Sequence, residues 1–188
     1  MLAGPNGAGK TTAAGHLLRG TLAVDVFVNA DVIAADLAPA RPEAVAIEAG
    51  RRTLTELEAL PAQRATFAFE TTLAGRGHAV WLRRCLADGY AVHIVFLWLQ
   101  SVDLAVRRVA RRVASGGHAI PEGTVRRRYE AGLRNLFGTY LALATTWAVY
   151  DNSDLVPRLV AAGERETATI VADPDTWTLM QQQAGMDG

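Results

Sequence analysis

Nine residues near the start constrain this chain more than any others: Gly4-Pro5-Asn6-Gly7-Ala8-Gly9-Lys10-Thr11-Thr12. The spacing G-x-x-x-x-G-K-T asks for a backbone that turns its N–H groups inward, which glycine allows and other residues resist. Such a nest holds anions. A helix starting where the loop ends adds the positive end of its dipole and its unpaired first-turn donors. In that arrangement Asn6, Gly7, Ala8, Gly9, Lys10, Thr11 and Thr12 wrap a nucleoside triphosphate. Lys10 reaches the β- and γ-phosphates and the Thr11 hydroxyl ligates Mg²⁺. Lys10 is the one lysine among nineteen basic residues. All the others are arginine, so this position selects a compact ammonium over a broad planar guanidinium.

The rest of the composition narrows the setting. The chain has 188 residues, half of them hydrophobic, which suits a single α/β domain over 1–188 with a sizeable core. Its formal net charge is zero, which argues against a general nucleic-acid or anionic-membrane surface. The single cysteine, Cys85, leaves no internal disulfide and fits a reducing, cytoplasmic compartment. It lies in an apolar helical pattern, as a buried structural thiol would. No signal peptide is visible and no apolar run has the length of a membrane span. Scattered histidines and one cysteine offer no zinc spacing. With no second lysine, an Asn-Lys-x-Asp guanine motif is impossible, so ATP is the expected donor.

Taken in order, the chain alternates. Strands are predicted at 24–29, 65–69, 91–99 and 147–150, with one more at 168–172. Helices are predicted at 11–19, 42–60, 79–87, 101–114 and from 121 onward, with a short one at 155–161. The tail from Gln181 is polar and expected to fray. Only Met1-Leu2-Ala3 precede Gly4, so the first strand is expected to be truncated, with a segment upstream. This alternation predicts a P-loop NTPase fold: a doubly wound, mostly parallel five-stranded sheet with flanking helices and an arginine-rich lid. Ligands in such folds sit beyond the carboxyl ends of the strands.

Several polar residues fall at those ends. Asp31 follows the second strand, where a carboxylate can orient an acceptor hydroxyl and take its proton as general base. It can equally cap a helical turn. Glu70 ends the third strand and suits either water-mediated Mg²⁺ binding or acceptor binding, or a plain helix cap. Arg108, Arg111 and Arg112 share a helix face, and Arg127 and Arg128 follow across a Gly116-Gly117 loop that can hinge. Guanidinium groups on such a lid neutralise charge on a transferred phosphoryl group. Arg112 and Arg127 are the best placed as catalytic groups, with Arg128 next. The alternative is a solvated face, or pairing with Asp103, Glu122 and Glu130. His118 lies in the lid loop. Asn152 follows the fifth strand, near the adenine or in a simple turn.

Together the loop 4–12, Asn29-Ala30-Asp31, Phe69-Glu70-Thr71-Thr72-Leu73, the segment 112–121, Arg127-Arg128-Tyr129 and Asp151-Asn152-Ser153 resemble the zeta-toxin-like P-loop kinases. The resemblance runs over residues 4–153, and the chain is most similar to the stand-alone bacterial members. It implies an ATP- and Mg²⁺-dependent phosphotransferase acting on a hydroxyl of a small acceptor. In characterised zeta toxins that acceptor is UDP-N-acetylglucosamine, and an antitoxin protein is the partner. It also implies Asp31 as the catalytic aspartate, with Glu70, Thr71, Thr72, Arg76 and Arg128 on the acceptor side. Where the family carries an aromatic and an arginine after the aspartate, this chain has Val32 and Ile33. Two other readings stand beside this one. The chain is a kinase of another metabolite or nucleotide, or a non-enzymatic ATP-binding module whose arginines contact a protein or RNA.

Overall fold

The alternation in the sequence becomes an alternation of layers. A computed structural model describes residues 1–20, 24, 26–38, 42–165 and 167–186, with the side chains of 16–20, 31, 42, 43, 46 and 47 excepted. The first half runs β1 (Leu2–Ala3), α1 (Lys10–Gly20), β2 (Val26–Val28), α2 (Ala30–Leu37), a 3₁₀ turn, α3 (Ala46–Ala59), β3 (Phe67–Thr71) and α4 (Gly77–Ala87). The second half runs β4 (His93–Trp98), α5 (Val102–Ala114), α6 (Glu122–Asn135), a π-helical turn (Leu136–Tyr140), α7 (Leu141–Leu143) and β5 (Thr146–Asp151). It ends with β6 (Arg158–Glu164), β7 (Thr167–Val171) and α8 (Pro174–Gln183).

The strands form one seven-stranded sheet in the order β2-β3-β1-β4-β5-β6-β7, two more than the five expected, because β6 and β7 extend the β5 edge in antiparallel pairing. The first five neighbours pair in parallel, as the P-loop fold requires. β1 is two residues long, and both are paired on each side: Leu2 lies opposite Glu70 and Val95, Ala3 opposite Thr71 and Phe96. The strand order reverses at β1, and the phosphate loop leaves from its end. This is the switch point at which open α/β sheets bind ligands.

The helices follow their local signals. Ser101 caps α5, its hydroxyl accepting from the Leu104 amide at 3.2 Å, as a serine before an apolar-periodic run should. Gly89 and Gly116 take positive φ just past α4 and α5, the geometry that closes a helix and that glycine tolerates. Cys85 is buried between α4 and the sheet, and burial pushes its thiol pKa up. Trp81, Trp98 and Trp147 are core residues. Trp177 of α8 stacks flat on Trp147, with centroids 5.5 Å apart. Among the described residues no helix is long and apolar enough to cross a membrane.

Three stretches depart from expectation. Residues 155–161, expected as a short helix, instead enter β6, which pairs antiparallel with β5 and then with β7. The small residues Ala161, Ala162 and Gly163 let that strand lie close to β5, and pairing outweighs alanine's helical preference. Residues 30–37, given no element beyond a possible helical turn at Asp31, form the helix α2. The polar tail does not fray at Gln181: Asp173 caps α8 through the Thr176 amide at 3.0 Å, and Met180 and Ala184 are buried. Gln183 then joins three elements. Its Oε1 accepts from Trp98 Nε1 and from Tyr129 Oη, and its Nε2 donates to Gln100 O.

The β6–β7 corner yields a direct test. A Cβ on Gly163 would collide with the Thr167 carbonyl and come within 2.7 Å of the Trp147 ring. Gly163→Ala should therefore destabilise the protein by about 1–3 kcal/mol, read as a shifted urea midpoint. An unchanged midpoint would argue against the hairpin.

Candidate active site

The loop that opened the sequence is held by close approaches that only glycine permits. Gly4, Gly7 and Gly9 have φ of 143°, 81° and 80°. A Cβ on Gly4 would strike the Leu97 carbonyl of β4, and one on Gly7 would lie 3.0 Å from Ala105 O on α5. One on Gly9 would lie 2.9 Å from Asn152 Nδ2. Lys10 Nζ donates to Gly4 O at 2.9 Å and Pro5 O at 3.0 Å, so the ammonium lies over the loop it is expected to serve.

Beside this loop lies a cavity of about 1030 Å³. Of the residues expected in the site, Asn6, Gly7, Gly9, Lys10, Thr11, Thr12, Glu70, Thr71, Thr72, Arg112, Arg127 and Arg128 all line it. The Thr11 hydroxyl donates to the Glu70 carboxylate, at 3.0 and 3.2 Å to its two oxygens. Asn29, at the end of β2, donates its amide to the same carboxylate. Three chain segments thus converge on one acidic group. Asp31 falls in the first turn of α2, and its side chain lies outside the described residues.

The lid arginines divide by partner. Arg112 Nη2 donates to His118 O at 3.0 Å, tying α5 to the loop that carries Gly116 and Gly117. Arg128 Nη1 approaches Asn6 Oδ1 at 3.5 Å. Arg127 lines the cavity from α6. Arg108 also reaches the cavity edge, but its guanidinium donates to Asn152 O and Ser153 O at 2.8 and 2.7 Å. Arg111 does not line the cavity. Arg126 is paired with Asp103 and Glu122, and Arg134 with Glu130, so the solvated ion-pair alternative describes those two.

Three expected residues are placed differently. Ala8 is fully buried. Its carbonyl accepts from Asn152 Nδ2 at 2.7 Å, which sets Asn152 behind the phosphate loop rather than in the cavity. Arg76 does not line the cavity, and its Nε donates to Asn135 Oδ1 at 3.1 Å. Asn135 is itself buried and donates to Leu73 O at 2.7 Å. Leu73 has a φ of 55°, a conformation that costs a branched residue energy. Its amide is held by Thr71 Oγ1 at 3.1 Å. Packing α6 on this turn requires Gly132, where a Cβ would lie 2.5 Å from Thr72 O.

Other cavity residues carried no expectation. Ala34 of α2, Ala49 to Leu54 of α3 except Arg52, and Gly77 and His78 of α4 also line the cavity. Nothing local marks them. They reach the cavity because α2 and α3 pack together beside β2, a contact between segments with no shared motif. Burial lowers the His78 pKa from its ordinary value, so the ring is neutral at pH 7.

Comparison with known proteins agrees with this architecture. The AAA-domain family matches residues 1–133. An uncharacterised protein of Haemophilus influenzae is 31% identical over 126 residues, which is 67% of this chain and 88% of that protein. Among solved structures, that of AvrRxo1-ORF1:-ORF2 with ATP has a chain similar at a TM-score of 0.76 and 16% identity, over 95% of this chain and 61% of that one. This chain therefore spans about three fifths of the length of that neighbour. A chain of the PezAT chromosomal toxin–antitoxin system of Streptococcus pneumoniae is similar at a TM-score of 0.61 and 15% identity, over 97% and 76%. At such identities the likeness speaks to the fold, a P-loop NTPase and kinase fold.

The Asn152–Ala8 contact predicts a measurable cost. Asn152→Ala leaves a buried carbonyl without its donor and should lower stability by about 1–3 kcal/mol in urea unfolding. Asn152→Asp, which also sets a carboxylate against that carbonyl, should lose at least as much. If neither variant shifts the midpoint, the contact contributes nothing to holding the loop.

Proposed function

We propose that the chain, which belongs to the AAA-domain family matched over residues 1–133, is an ATP-dependent phosphotransferase that moves the γ-phosphate to a hydroxyl of a small acceptor. One observation carries this reading. The phosphate loop, a strand-end carboxylate and the arginines of α5 and α6 all line a single cavity of about 1030 Å³. Ligand sites commonly span about 300–1,000 Å³, so this one has room for a donor and an acceptor side by side. A module that only bound ATP would not need Glu70, Thr72 and the small-residue wall of α2 and α3 around the far end.

In this reading Asn6 to Thr12 hold the phosphates. Lys10 leaves the Gly4 and Pro5 carbonyls to meet the β- and γ-oxygens. Arg112 and Arg127 neutralise charge on the transferred group, where a preorganised donor acts without reorganisation cost. Asp31 takes the acceptor's proton, and Glu70, Thr71, Thr72 and Arg128 hold the acceptor. The Thr11 hydroxyl, on the cavity wall, is a hard oxygen donor of the kind Mg²⁺ takes, and it would hold an ion that offsets charge on the β- and γ-phosphates.

The motif set that resembles zeta toxins, with the fold shared with the PezAT chain, supports a zeta-toxin-like kinase. In that case the acceptor is a UDP-N-acetylhexosamine and an antitoxin is a partner. The reading treats the chain as one kinase domain. Radiolabelled ATP with a panel of UDP-sugars, nucleotides and simple sugars tests it directly. Transfer to at least one acceptor is expected, and Lys10→Ala should abolish it. Asp31→Asn should cost about 10²–10⁴-fold in rate while leaving ATP binding intact. Full transfer by that variant would sink the assignment of the base.

A further inference from the structure

His78 is the second residue of α4 and lines the same cavity as the phosphate loop. Its ring packs against Phe69, with centroids 5.1 Å apart, and Phe69 immediately precedes Glu70. Two nitrogens are at stake. Nδ1 is sealed from solvent and has no hydrogen-bond partner. Nε2 makes no hydrogen bond with any described residue either, yet it is not sealed.

This arrangement restricts the ring's protonation. An imidazolium would need acceptors for two N–H groups, and one of them would be buried without any. A neutral ring has one N–H and one lone pair, and leaving a lone pair unmatched costs less than burying an unmatched donor. The proton therefore belongs on Nε2. Burial acts in the same direction, since it disfavours the charged form. The result is a neutral donor, fixed by an aromatic neighbour, in a cavity that Glu70 lines as well.

We propose that His78 is a specificity-determining residue of the acceptor subsite, donating Nε2–H to an oxygen of the acceptor while Glu70 accepts from a hydroxyl of the same molecule. The pair reads opposite chemistry: Glu70 needs an O–H and His78 needs a lone pair. The acceptor class that satisfies both carries at least two oxygen functions, as a sugar or other polyol does. The inference rests on the phosphotransferase reading above, because it takes the far end of the cavity as the acceptor side.

The test uses the full chain, labelled with ¹⁵N-histidine, and two probes: a non-hydrolysable ATP analogue with Mg²⁺, and UDP-N-acetylglucosamine. Long-range ¹H–¹⁵N spectra should report His78 as the Nε2–H tautomer, with an Nε2 resonance that shifts on adding the sugar nucleotide and not on adding the ATP analogue. His78→Phe keeps the packing on Phe69 and removes the orphaned Nδ1. It should weaken the sugar nucleotide's Kd about tenfold, leave the ATP analogue's Kd unchanged, and unfold no earlier than the parent. His78→Gln, which restores a donor, should recover most of the lost affinity. An unchanged sugar-nucleotide Kd in His78→Phe, or an Nε2 shift caused by the ATP analogue alone, overturns the proposal and leaves the phosphotransferase reading standing. Failure of the parent chain to bind the ATP analogue removes that reading and this proposal with it.

Discussion

The structure depends on how closely backbone can approach backbone around the phosphate loop. Gly4 lies against the β4 carbonyl of Leu97, Gly7 against Ala105 and Arg108 of α5, and Gly9 against the Asn152 side chain after β5. Each of these glycines also holds a positive φ. Adding one carbon at any of the three would strain the turn and push apart a different element. The loop therefore fixes the relative positions of β4, α5 and the β5 end, as well as being fixed by them. Because β1 contributes only Leu2 and Ala3, these lateral contacts carry anchoring that the strand alone could not. Asn152 adds a hydrogen bond to Ala8 O from behind, and Arg108 locks the Asn152 and Ser153 carbonyls in turn.

A neutral chain can still build a strongly polarised site if its charges are sorted. Acidic residues on the outer faces of α5 and α6 take up Arg126 and Arg134, and Asp151 pairs with Arg158 on the far side of the sheet. What lines the cavity is Lys10, Arg51, Arg108, Arg112, Arg127 and Arg128, with Glu70 as the described carboxylate among them. Surface pairs of this kind stabilise little.

Much of this was legible from local signals. The glycine spacing and lone lysine identified the loop, and helical periodicity from Ser101, stopped at Gly116-Gly117, identified α5. Continuous apolar runs identified β4 and β5. The misread segments share a cause: their state is set by a distant partner. Residues 158–164 carry alanines that suit a helix, and become β6 only because β5 has an unpaired edge beside them. The glutamine-rich end of α8 looks solvated, yet Gln183 satisfies Trp98, Tyr129 and Gln100 at once. The part of the cavity lined by α2, α3 and α4 was invisible for the same reason. His78 sits in a helix start that carries no motif, and gains meaning only from Phe69 beneath it and the cavity beside it.

That same Gln183 bears on how the site could close. Tyr129 Oη donates to Leu99 O at 2.6 Å and is linked to Gln183, so α6 is pinned to the end of β4 directly after Arg127 and Arg128. Burial raises the Tyr129 pKa well above its ordinary value, so the phenol stays protonated and the link holds across the physiological range. Gly132 presses the next turn of α6 onto Thr72 O. The arm that carries two of the lid arginines is thus a fixed wall. Any closure over a donor would be accommodated between α5 and α6, where Gly116 has the positive φ and a Cβ on Gly117 would lie 2.7 Å from Arg112 Cγ. Arg112 is the residue whose partner, the His118 carbonyl, lies in that segment. Under the proposed phosphotransferase reading, moving its guanidinium from that carbonyl to a phosphate would free the loop, and occupancy of the phosphate site and the position of the loop would then be coupled through one side chain.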